Sequence, residues 1–218
     1  MKKLIVIVLV CITSILQAQE YQTSHSTPIP VEVTVGNKSS LYQMIVVRQF
    51  GKKKQFGFFN LLNYEIDYKQ ETPDSYIVQS IFSYNFNRHF SLGAGANLKA
   101  FGGFKPLLAG AYTFFNRNFG VVIQPSVELD KDGVSEIFAL FEWHPKKFKK
   151  INPYFSLQGI TSYKTKDSKH DFSYVYIKTG IQLGTFRLGP ALNLQEIGNG
   201  SYSKSIVNMG GFISIILN

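Results

Sequence analysis

From residue 121 to 130 the chain alternates without a break. Val121, Ile123, Pro125, Val127 and Leu129 fall on one face; Val122, Gln124, Ser126, Glu128 and Asp130 fall on the other. A period of two over ten residues marks an extended strand with one greasy and one wet side. Residues 186–195 repeat it, with Phe186, Leu188, Pro190, Leu192 and Leu194 opposite Arg187, Gly189, Ala191, Asn193 and Gln195. Residues 92–100 set Leu92, Ala94, Ala96, Leu98 and Ala100 against Gly93, Gly95, Asn97 and Lys99. The last run carries Val207, Met209, Gly211, Ile213, Ile215 and Leu217 on one side.

No long amphipathic helix is visible. Runs bounded by turn residues predict strands over 41–50, 56–68, 75–86, 90–100, 106–115, 119–130, 135–143, 153–164, 172–184, 186–196 and 205–217. The shorter run Val31-Glu32-Val33-Thr34-Val35 makes twelve. Bacterial single-chain membrane barrels have even strand numbers, so twelve is preferred and ten is the alternative. Pro125 and Pro190 cannot donate to a ladder, so a bulge is expected at each. Tight links at Asn87-Arg88-His89, Asn116-Arg117-Asn118 and Thr185, with the basic segment 145–152, alternate with Gly-, Asp-, Lys- and Ser-rich connections at 101–105, 131–134, 165–171 and 197–204. Membrane barrels have short periplasmic turns and longer outer loops. The tight set, and both ends of a twelve-stranded barrel, are therefore assigned to the periplasm.

Alternation alone does not say which face is inside. The polar face is rich in Gly, Ser, Asn, Gln and Thr, which suits a confined hydrated interior. Aromatic residues gather at run ends, and Phe86, Phe90, Phe115, Phe119, Trp143 and Tyr154 are assigned to girdles at the membrane interfaces. A mean hydropathy of −0.01 is too polar for a helical membrane protein. The start of the chain adds a compartment. Lys2 and Lys3 precede an apolar stretch from Leu4 to Leu16, followed by Gln17-Ala18-Gln19, which reads as a secretory signal peptide over 1–19. Residues 20–30 form a polar lead-in, and 31–218 form one domain, a closed antiparallel transmembrane β-barrel in the outer membrane. The alternative is an exported soluble barrel that binds a small ligand.

With its Gln-Ala-Gln signal end, the Phe-Ser-Leu-Gly-Ala-Gly-Ala run at 90–96 and the turns Phe86-Asn87-Arg88-His89-Phe90 and Phe115-Asn116-Arg117-Asn118-Phe119, the chain resembles the small porin-like outer-membrane β-barrel proteins of Gram-negative bacteria. Such barrels often end on an aromatic residue used in assembly, whereas this chain ends Ile215-Ile216-Leu217-Asn218.

Composition narrows the chemistry. The one cysteine, Cys11, lies in the signal segment, so disulfides, thiolate metal sites and cysteine nucleophiles are excluded from the mature chain. The net charge is +9, two units of it from Lys2 and Lys3. Export argues against nucleic acid as the partner; the lysines cluster in turn-like stretches, read first as solvated turns, with contact to membrane lipid headgroups as the alternative. Asp130-Lys131-Asp132-Gly133 lacks the long ligand loop of a calcium site, and no cofactor or metal is expected. Alternation turns Arg48, Glu65, Asp67, Lys99, Glu128, Glu136, Glu142, Lys178 and Arg187 into the lumen. Charges of both signs there line a solute path or lock a packed interior. Phe138, Leu140, Tyr154 and Phe212 also fall inward, which favours a narrow lumen; Tyr154 thus carries two assignments. The expected role is a porin-like passive channel or a structural barrel, not an enzyme. The alternative is a lipid-modifying hydrolase built on His170, with Ser168, Asp171 and Ser173 beside it. The sequence names neither a solute nor an oligomeric state.

Overall fold

A computed structural model describes residues 29–69, 74–100, 102–131, 133–145, 148, 150–198 and 203–217. The signal peptide and nearly all of the lead-in lie outside the described residues. Every regular element among these residues is a strand, and twelve of them close into one antiparallel barrel. In chain order they are β1 (Ile29–Gly36), β2 (Ser39–Phe50), β3 (Phe56–Asp67), β4 (Ser75–Asn85), β5 (Phe90–Lys99), β6 (Gly103–Phe115), β7 (Phe119–Glu128), β8 (Val134–Trp143), β9 (Ile151–Lys164), β10 (His170–Leu183), β11 (Phe186–Ile197) and β12 (Lys204–Leu217). Each strand pairs with its neighbours in sequence, and β1 pairs with β12 from Ile29–Leu217 to Gly36–Gly210, so no edge is left open. Following the register once round the wall returns to β1 displaced by about 16 residues, which for twelve strands gives a tilt near 45° and a backbone radius of roughly 12 Å.

The alternation sets which side of the wall faces inward. Val122, Gln124 and Glu128 are buried while Ile123 and Leu129 are exposed; Arg187, Asn193 and Gln195 are buried while Phe186, Leu188 and Leu194 are exposed. Apolar side chains thus face outward, the reverse of a soluble barrel.

The outer face carries aromatic belts at both ends. At the end that carries both termini, Phe50, Phe56, Tyr84 and Phe86 form a chain of ring contacts 5.6–6.1 Å apart. Phe114, Phe119, Phe141 and Phe155 continue it on the other side. At the opposite end Tyr42, Tyr64 and Tyr76 stand side by side in register. Eight residues of β2 separate Tyr42 from Phe50, a height on the order of 20 Å at this tilt, close to the apolar band of about 25 Å typical of membrane barrels.

The repeated Phe-Asn-Arg-x-Phe segments have one physical cause. Asn87 Oδ1 accepts from the backbone N–H of His89 and Phe90 (2.8 and 2.9 Å), and Asn116 Oδ1 accepts from Asn118 and Phe119 (2.7 and 2.9 Å). Each asparagine builds its own tight turn. The two-residue link Gly184-Thr185 uses the positive φ of Gly184, 59°.

The prolines correct an expectation. No register shift occurs at Pro125 or Pro190. The β6–β7 ladder instead skips Gly110 and Ala111 opposite Pro125, and the β10–β11 ladder skips Thr179 and Gly180 opposite Pro190. Gly110 faces Pro125 and Thr179 faces Pro190, and the strands pass both prolines at unchanged register. The bulge that does occur lies between His170 and Phe172 in the β9–β10 pairing.

Candidate functional site: a plugged lumen beneath a vestibule

The interior has three levels. At the end away from the termini, a vestibule of about 490 Å³ opens between the loops, lined by Glu65, Asp67, Lys99, Glu136, Asp171 and Gln195 among others. Its carboxylates are held. Glu65 accepts from Ser39 Oγ (2.5 Å) and Gln195 Nε2 (2.6 Å). Lys99 Nζ sits 2.9 Å from Glu128 Oε1 and 3.3 Å from Glu136 Oε2. Asn97 donates to Glu128 (3.1 Å), and Gln124 Nε2 donates to Gln79 Oε1 (2.5 Å).

Below the vestibule, the lumen is filled. Phe59, Leu61, Leu107, Val122, Phe138 and Tyr174 belong to one buried cluster that spans the barrel. Phe138, Ile160 and Tyr174 form one inward row across β8, β9 and β10. Phe59 packs on Phe138 at 5.7 Å, and Tyr174 stacks on Tyr176 at 4.2 Å. Some polar atoms in this layer are paired: Tyr174 Oη accepts from Gln158 Nε2 at 3.0 Å, and Gln43 Nε2 donates to Asn63 at 2.8 Å, whereas the buried amide of Asn193, opposite Tyr176, has no hydrogen-bond partner. Lys178, 2% exposed, pairs with Glu32 and donates to Gln43 Oε1 at 3.3 Å.

At the terminal end, Arg187 Nη1 donates to Glu142 Oε1 at 2.8 Å, and Tyr154 Oη donates to the same oxygen at 2.8 Å. The guanidinium also lies 4.4 Å from the centre of the Tyr154 ring.

Glu65, Asp67, Lys99, Glu128, Glu136, Glu142, Lys178 and Arg187 therefore all face the interior. Arg48 does not. The inward positions of β2 are the odd ones, Leu41, Gln43 and Ile45, so Arg48 lies on the outer wall beside Phe58 at the terminal end. There a long side chain can lie along apolar surface and keep its charge at the headgroups. Among the aromatic residues, Phe86, Phe90, Phe119 and Trp143 lie on the outer face. Tyr154, 3% exposed, is inside, bound to Glu142. Phe115 is in register with Gly120 and its ring covers the inward side of that glycine, so it closes the rim and is not part of the outer belt. Glu32 was missing from the sequence-based set. Its signal was present: it is a charge at the alternate position between outward Val31 and Val33.

No protein-family model matches the chain, and no curated protein matches it. The solved structures that are similar include the following three. The NanC porin, in a rhombohedral crystal form, has a TM-score of 0.51 at 9% identity, covering 88% of this chain and 99% of that one. The KdgM porin has a TM-score of 0.47 at 12% identity, covering 88% and 100%. LpxR from Salmonella typhimurium has a TM-score of 0.45 at 7% identity, covering 87% and 99%. At these identities the likeness concerns fold alone. The chain is a closed twelve-stranded antiparallel β-barrel whose fold is similar to that of the NanC porin.

Proposed function

We propose that this chain is an outer-membrane barrel that admits a small polar solute to its vestibule and is shut to free passage in this conformation. The observation that carries the proposal is the Phe138–Ile160–Tyr174 row, packed with Phe59 and Leu61 across the barrel beneath charged residues of both signs. Rings packed across this row leave no continuous water column, so ions have no hydrated path. The solute favoured by the vestibule is small and carries both charge signs or neither, since Lys99 stands beside Glu128 and Glu136.

The wild-type protein is expected to fractionate with the outer membrane, to show heat-modifiable gel migration, and to give no single-channel steps in a planar bilayer. Replacing Phe138 and Tyr174 together with alanine removes two rings from one row and is expected to produce discrete conductance steps, with heat-modifiable migration showing that the barrel still forms. Wild-type steps as large as those of the double variant would refute the plug.

A further inference from the structure

His170 and Ser173 are three residues apart on one strand, a spacing that ordinarily puts two side chains on opposite faces. The bulge between His170 and Phe172 reverses the parity and brings them together. His170 Nε2 lies 2.8 Å from Ser173 Oγ, and His170 Nδ1 lies 2.6 Å from the backbone carbonyl oxygen of Gly198. That carbonyl only accepts, so Nδ1 carries the hydrogen. In the neutral ring Nε2 is then the acceptor, and the Ser173 hydroxyl donates to it. Thr161 Oγ1 lies 2.8 Å from Ser173 Oγ as a second acceptor, so the one Ser173 hydrogen turns either to Thr161 or to His170 Nε2. A hydroxyl, a base at hydrogen-bond distance and a third group that fixes the base tautomer form the arrangement that activates a nucleophile.

The position of the group selects its substrate. Ser173 lies in register with Thr161 and Glu196, and Glu196 with Ser205, a polar row across four strands on the outer wall. Directly below it the wall is apolar: Val175, Leu194 and Val207 are exposed there. Tyr163 contacts His170 edge-on at 5.6 Å. The row therefore marks where hydrocarbon ends and headgroups begin, on the side away from the termini. The acyl ester of a membrane lipid sits at that depth.

We propose that Ser173 and His170 form a lipid acyl-ester hydrolase site on the outer wall, separate from the lumen. Ser173 Oγ attacks the ester carbonyl carbon while its proton passes to His170 Nε2. The C–O bond to the glycerol or sugar oxygen breaks, and that oxygen takes the proton from His170. Water then attacks the acyl-serine, again through His170, and releases a carboxylic acid and free Ser173.

The test uses the full mature chain refolded into phosphatidylethanolamine vesicles, with heat-modifiable migration confirming the barrel before assay. A parallel arm uses vesicles carrying lipopolysaccharide, which separates the two sources of acyl ester. Expected are release of fatty acid in at least one arm and covalent labelling of Ser173 by a fluorophosphonate, mapped by peptide mass. Ser173→Ala is expected to abolish both. His170→Ala is expected to slow release by about 10²–10⁴-fold. A folded barrel that takes no label and releases no acid in either arm overturns the proposal, as does release that survives Ser173→Ala. Neither result bears on the conductance test of the plug.

Discussion

Lys178→Met is expected to cost the barrel about 3–5 kcal/mol, the usual loss when one member of a buried ion pair is removed and the other charge stays behind. Lys178 is 2% exposed and Glu32 5%, so neither has bulk water as a substitute partner. The lost lysine would leave Glu32 on β1 facing a layer of buried apolar and amide groups. It would also remove the donor to Gln43 Oε1. Denaturant unfolding followed by the fluorescence of Trp143, the single tryptophan, reads the loss directly. The double variant Lys178→Met with Glu32→Gln is expected to recover most of it, because it removes the stranded charge along with its partner. A loss below about 1 kcal/mol for Lys178→Met, the range of a solvated pair, would mean that water reaches this layer and that the plug is not dry.

That expectation depends on an inward side of the strands which the sequence shows clearly in places and not in others. The runs at 121–130 and 186–195 fix their own faces, because an uninterrupted period of two leaves one way to bury Gln124 and Arg187 together with Glu128 and Gln195. Arg48 was misplaced for the opposite reason. The end of β2, Ile45-Val46-Val47-Arg48, is apolar on both faces, so parity must be carried from Leu41 and Gln43, further along the strand. Phe115 and Tyr154 show a second blind spot. A ring at a strand end suits a lipid interface and a barrel rim equally, and only the partner decides: Gly120 under Phe115, Glu142 and Arg187 around Tyr154. The Ser173–His170 contact was the least legible of all. It depends on a one-residue bulge, and local composition at 168–173 gives no sign of one. The prolines misled in the same way, since local loss of ladder bonds at unchanged register and a bulge look alike in the sequence.

Ile123→Arg is expected to destabilise the barrel in a bilayer by about 2–4 kcal/mol, while Leu129→Arg on the same face costs about 0–1 kcal/mol. Both side chains are exposed, Ile123 near the middle of β7 and Leu129 just beyond its end. The inward neighbours of Ile123 along the strand, Val122 and Gln124, are buried, so the arginine cannot turn into the lumen without displacing packed atoms. In a soluble barrel the two substitutions would each put a charge into water and both would be nearly free. In a membrane the cost follows depth, because a guanidinium at mid-wall must drag water or headgroups to itself, whereas one at the rim already has them. The difference between the two variants, read as unfolding free energies in lipid vesicles, therefore tests the orientation of the wall with stability as the only variable. Equal costs at the two positions would remove hydrocarbon from the outer face, and with it both the depth assigned to Ser173 and the reading of the lumen as a path across a membrane.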